Sequence, residues 1–258
     1  MSSSIYFVIF TCAAMTVSRV HSFARSFRPN QIYSRNKHVL KESFKNQVSL
    51  VHQYWKEAIN EQVAATGDRN TTVVAVDCTA GNGHDTLYLA QLLANATNIT
   101  PKLYFIDINP AAIVRTQELL VNNKQNLFKC IGIAGSHETF PNDIQLDSVD
   151  IMCYNLGYMP GNIDDYEDGN RMCTKSSSTV KSISNGLKLL KKGGLMTIIA
   201  YRGHEIGKEE EIEVSETVRR LDPTKWRVSQ TKNILVEDSP VVYCVYRRNR
   251  TPRGNSII

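Results

Sequence analysis

At 258 residues the chain is long enough for one α/β domain whose core is stable alone. Its formal net charge of +5 weakens once located: of the 30 Lys and Arg, six (Arg19, Arg25, Arg28, Arg35, Lys37 and Lys41) precede the first acid, Glu42, leaving 24 cations against 25 acids. This excludes a uniformly basic nucleic-acid binder, and six scattered cysteines without a C-x-x-C pair exclude a disulfide framework or zinc module.

Residues 1–41 read as an address rather than as part of the domain. Ile5 to Val17 is an apolar run too short for a membrane span and of the length of a signal-peptide core, with a small-residue cleavage site at Val20-His-Ser22. Phe23 to Lys41 is acid-free and carries Arg, Ser and Asn, as transit peptides do. Ser22-Phe-Ala-Arg25 resembles the junction in the bipartite leaders of algae with secondary plastids. The expected location is a plastid, with mitochondrion or cytosol as the alternative and no stable membrane association. Residues 42–250 are expected to form the domain and 251–258 a tail.

Val48, Val51, Tyr54, Trp55, Ala58, Ile59 and Val63 recur at helical spacing, so a helix is expected over Gln47 to Val63. A first strand, Val73 to Val76, then meets the turn Asp77-Cys-Thr-Ala-Gly-Asn-Gly-His-Asp-Thr86 and an apolar helical stretch, Leu87 to Leu93. Lys102 to Asp107 is a second strand, and Asn109 and Pro110 are placed to cap and start a helix reaching Val121. Strands are expected at Leu127 to Ile133, Ser148 to Tyr154 and Gly194 to Tyr201, and helices at Val180 to Leu190 and Lys208 to Leu221. Trp226 to Thr231 and Val241 to Arg247 close the pattern as an antiparallel pair. The alternation predicts an α/β fold, a doubly wound, Rossmann-like seven-stranded sheet of the class I S-adenosylmethionine (SAM) methyltransferase kind. Asn162 to Ser178, acidic and then serine-rich, reads as an irregular insertion, and the acids of Glu209 to Glu213 as a solvated helix face.

The strand-turn-helix junction carries the strongest chemical signal. Gly81 and Gly83 allow positive φ and close backbone approach to a ligand at a helix N-terminus. A dinucleotide fingerprint requires a third glycine where Thr86 stands. SAM has no pyrophosphate to cradle. It presents an ammonium that Asp77 would hold, directly or through water, and a ribose for an acid ending the second strand; Asp107 stands there, 24 residues beyond Gly83. The plainer reading of Asp77 is a turn or capping residue.

Ligands of open α/β sheets sit at the carboxyl ends of the strands. After the fourth strand, Asn155-Leu-Gly-Tyr158 keeps the spacing of the Asn/Asp-Pro-Pro-Tyr turn of amino-methylating enzymes, in which amide and backbone oxygens aim an amine lone pair at the methyl group. The alternative is a capped turn packing Tyr158 into the core. After the fifth strand, Tyr201-Arg-Gly-His-Glu-Ile-Gly-Lys208 offers His204 as a proton acceptor and Arg202 or Lys208 to phosphate, against an inert surface loop. Ser136-His137-Glu138 stands where a nucleotide base is bordered. Phosphate contacts could come from Arg171, Lys175, Lys181, Lys188, Lys191 and Lys192, or from Arg247, Arg248, Arg250 and Arg253.

These motifs, with Tyr154-Asn-Leu-Gly-Tyr-Met-Pro-Gly161 and Gly193-Gly-Leu195, resemble the MnmM-type family, whose members are labelled rRNA methylases; the similarity runs from Val48 to Arg248. The resemblance implies SAM as cofactor and methylation of the amine of 5-aminomethyl-2-thiouridine at the tRNA wobble position, hence tRNA, at its anticodon region, as partner. By it Asp77, Asn82, Asp85 and Asp107 belong to the cofactor site, joined by Gly81, Gly83, Thr86, Asn109, Ser136, His137 and Glu138. Asn155, Tyr158 and His204 fall on the substrate side. No metal is implied, and a homodimer stays open. The chain departs from the family at Pro160-Gly-Asn-Ile-Asp164, where members carry Pro-Gly-Gly-Asp. The rival readings are an N-methyltransferase of another RNA, a small molecule or a protein, a SAM- or RNA-binding module without activity, and, more remotely, an NAD-dependent oxidoreductase.

Overall fold

The computed structural model describes residues 29–66, 71–125, 128–157, 176–203 and 205–249. The chain divides into two units, Met1–Glu42 and Ser43–Ile258, and the packing below belongs to the second. In chain order the elements are α1 (Pro29–Thr66), β1 (Thr71–Asp77), α2 (His84–Asn95), β2 (Ile99–Asp107), α3 (Pro110–Asn122), β3 (Lys129–Ala134) and β4 (Val149–Asn155). Then follow α4 (Ser176–Leu189), β5 (Leu190–Ala200), α5 (Glu205–Arg219), β6 (Trp226–Lys232) and β7 (Val241–Arg247). Among the described residues no helix is long and apolar enough to cross a membrane.

The seven strands form one sheet in the order β3-β2-β1-β4-β5-β7-β6, parallel except for β7, which runs antiparallel to both neighbours. This is the class I methyltransferase arrangement. Because side chains alternate across a strand, Val73 and Ala75 enter one core layer and Val74 and Val76 the other. The first layer holds Val51 and Trp55 of α1, Leu89 and Leu93 of α2 and Ile113 of α3; the second holds Ile183 of α4 and Val214 and Val218 of α5. Chain order reverses between β1 and β4, which opens a crevice at their carboxyl ends.

Three boundaries and one burial pattern differ from the sequence reading. Helix α1 begins at Pro29, within the stretch read as an address, because proline suits a first turn and nothing breaks the helix before Thr66. Ser176, Ser177 and Ser178, expected in an irregular insertion, are the first turn of α4; the remainder of that stretch lies outside the described residues. Strand β5 starts at Leu190, paired with Val149, and the register shifts before Leu195 meets Ile151, with Gly193 at φ 80° between them. The acid run of α5 is only half a solvated face: Glu209 and Glu213 are exposed, but Glu210 and Glu211 turn inward. Glu210 is 2% and Glu211 4% exposed, because each finds a partner inside: Thr179 Oγ1 donates to Glu210 at 2.6 Å, and Arg202 and the Tyr243 hydroxyl bind Glu211.

Candidate active site

Asp77 ends β1 buried beneath the turn, with Thr79 N donating to its Oδ1 at 3.0 Å and the Thr86 hydroxyl to its Oδ2 at 2.5 Å. It is 1% exposed, so its effect on a ligand passes through the loop it shapes. Burial, then the Asp85 charge, push its carboxyl from the usual carboxylate range up to about 7, against the pull of those two hydrogen bonds.

The turn it supports is closed by Gly83 N donating to Ala80 O at 2.8 Å and anchored to β2 by Ala80 N donating to Ile106 O at 2.9 Å. Gly83 sits at φ 82°, and a Cβ there would stand 2.9 Å from Thr116 Oγ1 and 3.0 Å from Thr116 Cα on α3. Gly83→Ala therefore carries a left-handed backbone cost of about 1–2 kcal/mol with steric overlap added. Chemical denaturation should show that loss, and an unchanged unfolding midpoint would contradict this turn geometry.

Asp107, half-buried at the end of β2, organises the other wall. Its Oδ2 accepts from Gly81 N at 2.8 Å and its Oδ1 from Asn109 N at 2.8 Å, while Asn109 Oδ1 caps α3 by accepting from Ala111 N at 3.0 Å. Beyond β3, Ser136 Oγ accepts from Glu138 N, and Glu138 pairs with Lys181 at 2.7 Å. The His137 ring packs edge-on against Tyr154, and burial holds its pKa below the usual histidine value.

The cofactor turn and the turn after β4 are bonded to each other. Asn155 N donates to Thr79 Oγ1 at 2.7 Å, and Asn155 Nδ2 donates to Asp85 Oδ2 at 3.0 Å. On its other side Asn155 Oδ1 accepts from the Tyr201 hydroxyl at 2.6 Å. Asp85 Oδ1 lies 2.8 Å from His52 Nε2, and the imidazole stacks on Tyr88 with ring centres 3.9 Å apart. The amide is thereby oriented: a carboxylate can only accept, so Nδ2 faces Asp85 and Oδ1 faces the phenol. Tyr201 remains a phenol, because burial and the Asp85 charge push its pKa far up. Gly157, at φ 147°, lets the chain pass the Tyr201 ring, which a Cβ would meet at 3.1 Å.

The structure thus gathers Asp77, Gly81, Gly83, Asp85, Thr86, Asp107, Asn109 and Asn155 at the carboxyl edge, with Asn82 in the same turn and Ser136 to Glu138 after the neighbouring strand. Tyr158 and His204 lie outside the described residues, as do Arg171 and Lys175. Arg202, offered to phosphate by its sequence context, is bound to buried Glu211 at 2.6 Å. Sequence reasoning missed His52 and gave Tyr201 no role. His52 precedes buried Trp55 by one helical turn, and that spacing of a polar ring on an apolar face was the available signal. Among the described residues no three His, Cys, Asp or Glu side chains group as a metal site.

Four similarities to known proteins bear on this arrangement. The model of the family described as "Putative rRNA methylase" matches residues 103–247, more than half of the chain. A chloroplastic tRNA (mnm(5)s(2)U34)-methyltransferase of Arabidopsis thaliana is 28% identical over 212 residues, covering 79% of this chain and 70% of that protein. The crystal structure of a Clostridium thermocellum protein described as "putative rRNA-methylase" superposes with a TM-score of 0.64 at 26% identity, covering 78% of this chain and 96% of that one. A Streptococcus mutans protein described as "a putative methyltransferase", in complex with SAH, shares the fold at a TM-score of 0.60 and 24% identity, over 78% of this chain and 97% of that one.

Proposed function

Because the chain belongs to the rRNA methylase family, we propose that this SAM-dependent methyltransferase is of the MnmM type, methylating the amine of 5-aminomethyl-2-thiouridine at the tRNA wobble position. The observation that carries the reading is the Asn155 carboxamide, fixed between Asp85 and Tyr201 and joined by its backbone to the cofactor turn. The named function of the Arabidopsis relative supports the same substrate.

The residues fit SAM. Gly81, Asn82 and Gly83 give a backbone cradle in which a side chain at position 83 would overlap Thr116. Asp107 is half-buried where Asp77 is enclosed, so Asp107 is placed to take ribose hydroxyls while still holding Gly81 and Asn109. Asn109 and Ser136 to Glu138 border the base. When bound, SAM supplies a methyl group on an electrophilic sulfonium.

On the substrate side, the second lone pair of Asn155 Oδ1 accepts an amine N–H and aims the nitrogen at the methyl group. The amine must arrive neutral. Tyr201 and Asp85 keep the amide from rotating, so the orientation is set before the substrate enters. By the resemblance Tyr158 and His204 belong to the substrate side; as N–CH3 forms and S–CH3 breaks, the product is an ammonium, and His204 takes up the proton it releases. Asp85, with both oxygens engaged by His52 and Asn155, links the cofactor and acceptor turns.

The test is methyl transfer from labelled SAM to tRNA bearing 5-aminomethyl-2-thiouridine, read by nucleoside mass spectrometry. The expected product is the methylaminomethyl nucleoside; label in rRNA, protein or a small amine instead would overturn the substrate assignment.

Residues 1–41 address the protein to a plastid, 42–250 form the catalytic domain and 251–258 a tail. A chain starting at Glu42 should bind SAM as tightly as the full chain, measured by calorimetry, and a fluorescent protein fused behind residues 1–41 should enter the plastid. Weaker SAM binding would place part of the leader in the fold.

A further inference from the structure

The opposite edge of the sheet carries a feature that methyl transfer does not use. A cavity of about 740 Å³ opens between the start of β5 and the paired ends of β6 and β7. Lys188, Lys192, Lys225, Arg247 and Arg248 line it against a single lining acid, Asp147. This excess is local, since the chain beyond residue 41 is close to neutral.

The cations are also positioned. Arg247 is held by Asp147 and the Leu190 carbonyl, and its guanidinium lies 5.9 Å from the centre of the Trp226 ring. Arg248 Nε donates to Pro223 O at 3.0 Å and Trp226 O at 3.1 Å, which fixes the plane of a guanidinium whose terminal nitrogens have no protein partner among the described residues. Lys188 Nζ donates to the neutral Asn185, Lys225 stands 3.9 Å from Asp222, and exposed Lys192 has no ion pair among the described residues. Held guanidiniums, loosely partnered ammoniums and an aromatic wall make a concave surface for phosphate groups.

Its location selects the kind of phosphate. β5 runs from the cavity to the active-site edge beside β4: from Leu190, paired with Val149, to Ile199, paired with Asn155, it advances six strand steps, about 20 Å at roughly 3.3 Å per residue. The active-site edge carries Asp85 and Asp107, and among the described residues the cations there, Lys181, Arg202 and Lys208, each face an acid, so a polyanion whose modified base enters the crevice finds a denser and less neutralised cation cluster at the opposite edge. A monophosphate in the cavity would have no connection to the site, whereas an extended nucleic acid spans both.

Resting on the tRNA reading above, we propose that this cavity binds the phosphodiester backbone of the RNA substrate, remote from the base that is methylated. The test is the salt dependence of tRNA binding by the full-length protein and by its Lys188→Gln/Lys192→Gln/Lys225→Gln variant. These side chains make no buried contact, and SAM affinity and thermal midpoint confirm that the variant is folded. The expected result is at least tenfold weaker tRNA binding near physiological salt. The slope of log K against log salt should fall by roughly two to three, at about 0.7–0.9 for each phosphate that is no longer neutralised. An unchanged affinity and slope would overturn the proposal. So would loss of inorganic pyrophosphate binding with tRNA binding intact, which would make this a small-phosphate site. The two readings fail separately. Salt-steep tRNA binding that the variant lacks, without amine methylation by the wild type, leaves the cavity standing and removes the wobble-uridine assignment; methylation with an unaltered slope does the reverse.

Discussion

Asn155→Ala should lower kcat on aminomethyl-uridine tRNA by roughly 10²-fold or more while leaving SAM affinity within a few-fold, because positioning acts on the transition state rather than on the cofactor. Among the described residues the carboxamide's hydrogen bond toward the cofactor turn is the one to Asp85, and the backbone bond of Asn155 to Thr79 survives the substitution. What disappears is the oxygen that directs the amine, and with it the partner of the Tyr201 hydroxyl. Asn155→Asp sharpens the test. It retains an acceptor but sets a second carboxylate against Asp85, so it should also be slow, and more so as pH rises and the pair repel. An Asn155→Ala enzyme with wild-type turnover would remove this turn from the methyl-acceptor site. A matched loss of SAM affinity would show that the residue serves the cofactor instead.

The parts of this site that the sequence disclosed were those set by local backbone chemistry. A glycine turn between a β-branched run and an apolar helix has few conformations, so Gly81, Gly83, Asp77 and the Asn109-Pro110 start of α3 could be placed from spacing alone. Asp107 followed from the period of the alternation. The missed features depend on interactions between distant segments. His52 and Asp85 are 33 residues apart and Tyr201 and Asn155 46 apart, and no local pattern says that helix α1 lays an imidazole against the cofactor turn. Two of the α5 acids, Glu210 and Glu211, were misread for the same reason, while Glu209 and Glu213 are solvated as expected. A run of glutamates is ordinarily solvated, and only the fold brings Thr179, Arg202 and Tyr243 to the two that turn inward. The same limit hid the basic cavity: Lys188 and Lys192 stand with one group of cations in the sequence and Arg247 and Arg248 with another, and the sheet order makes them one surface.

Asp107→Ala should weaken SAM binding by about 1.5–3 kcal/mol, the range of a lost hydrogen bond to a charged group, or roughly 10- to 150-fold in Kd by calorimetry. Two contributions are mixed in that number, since the carboxylate would bind ribose hydroxyls and also holds Gly81 N and Asn109 N at 2.8 Å each. Asp107→Asn separates them: one amide oxygen still accepts from the turn, but the charge and one acceptor are gone. If the ribose is the main partner, the asparagine variant should lie close to alanine in Kd and close to wild type in thermal midpoint. If turn support dominates, asparagine should recover much of the affinity, and the alanine variant should lose stability in step with binding. A folded Asp107→Ala protein that binds SAM like the wild type would exclude this carboxylate from the cofactor site, and with it the premise that β2 ends at the ribose.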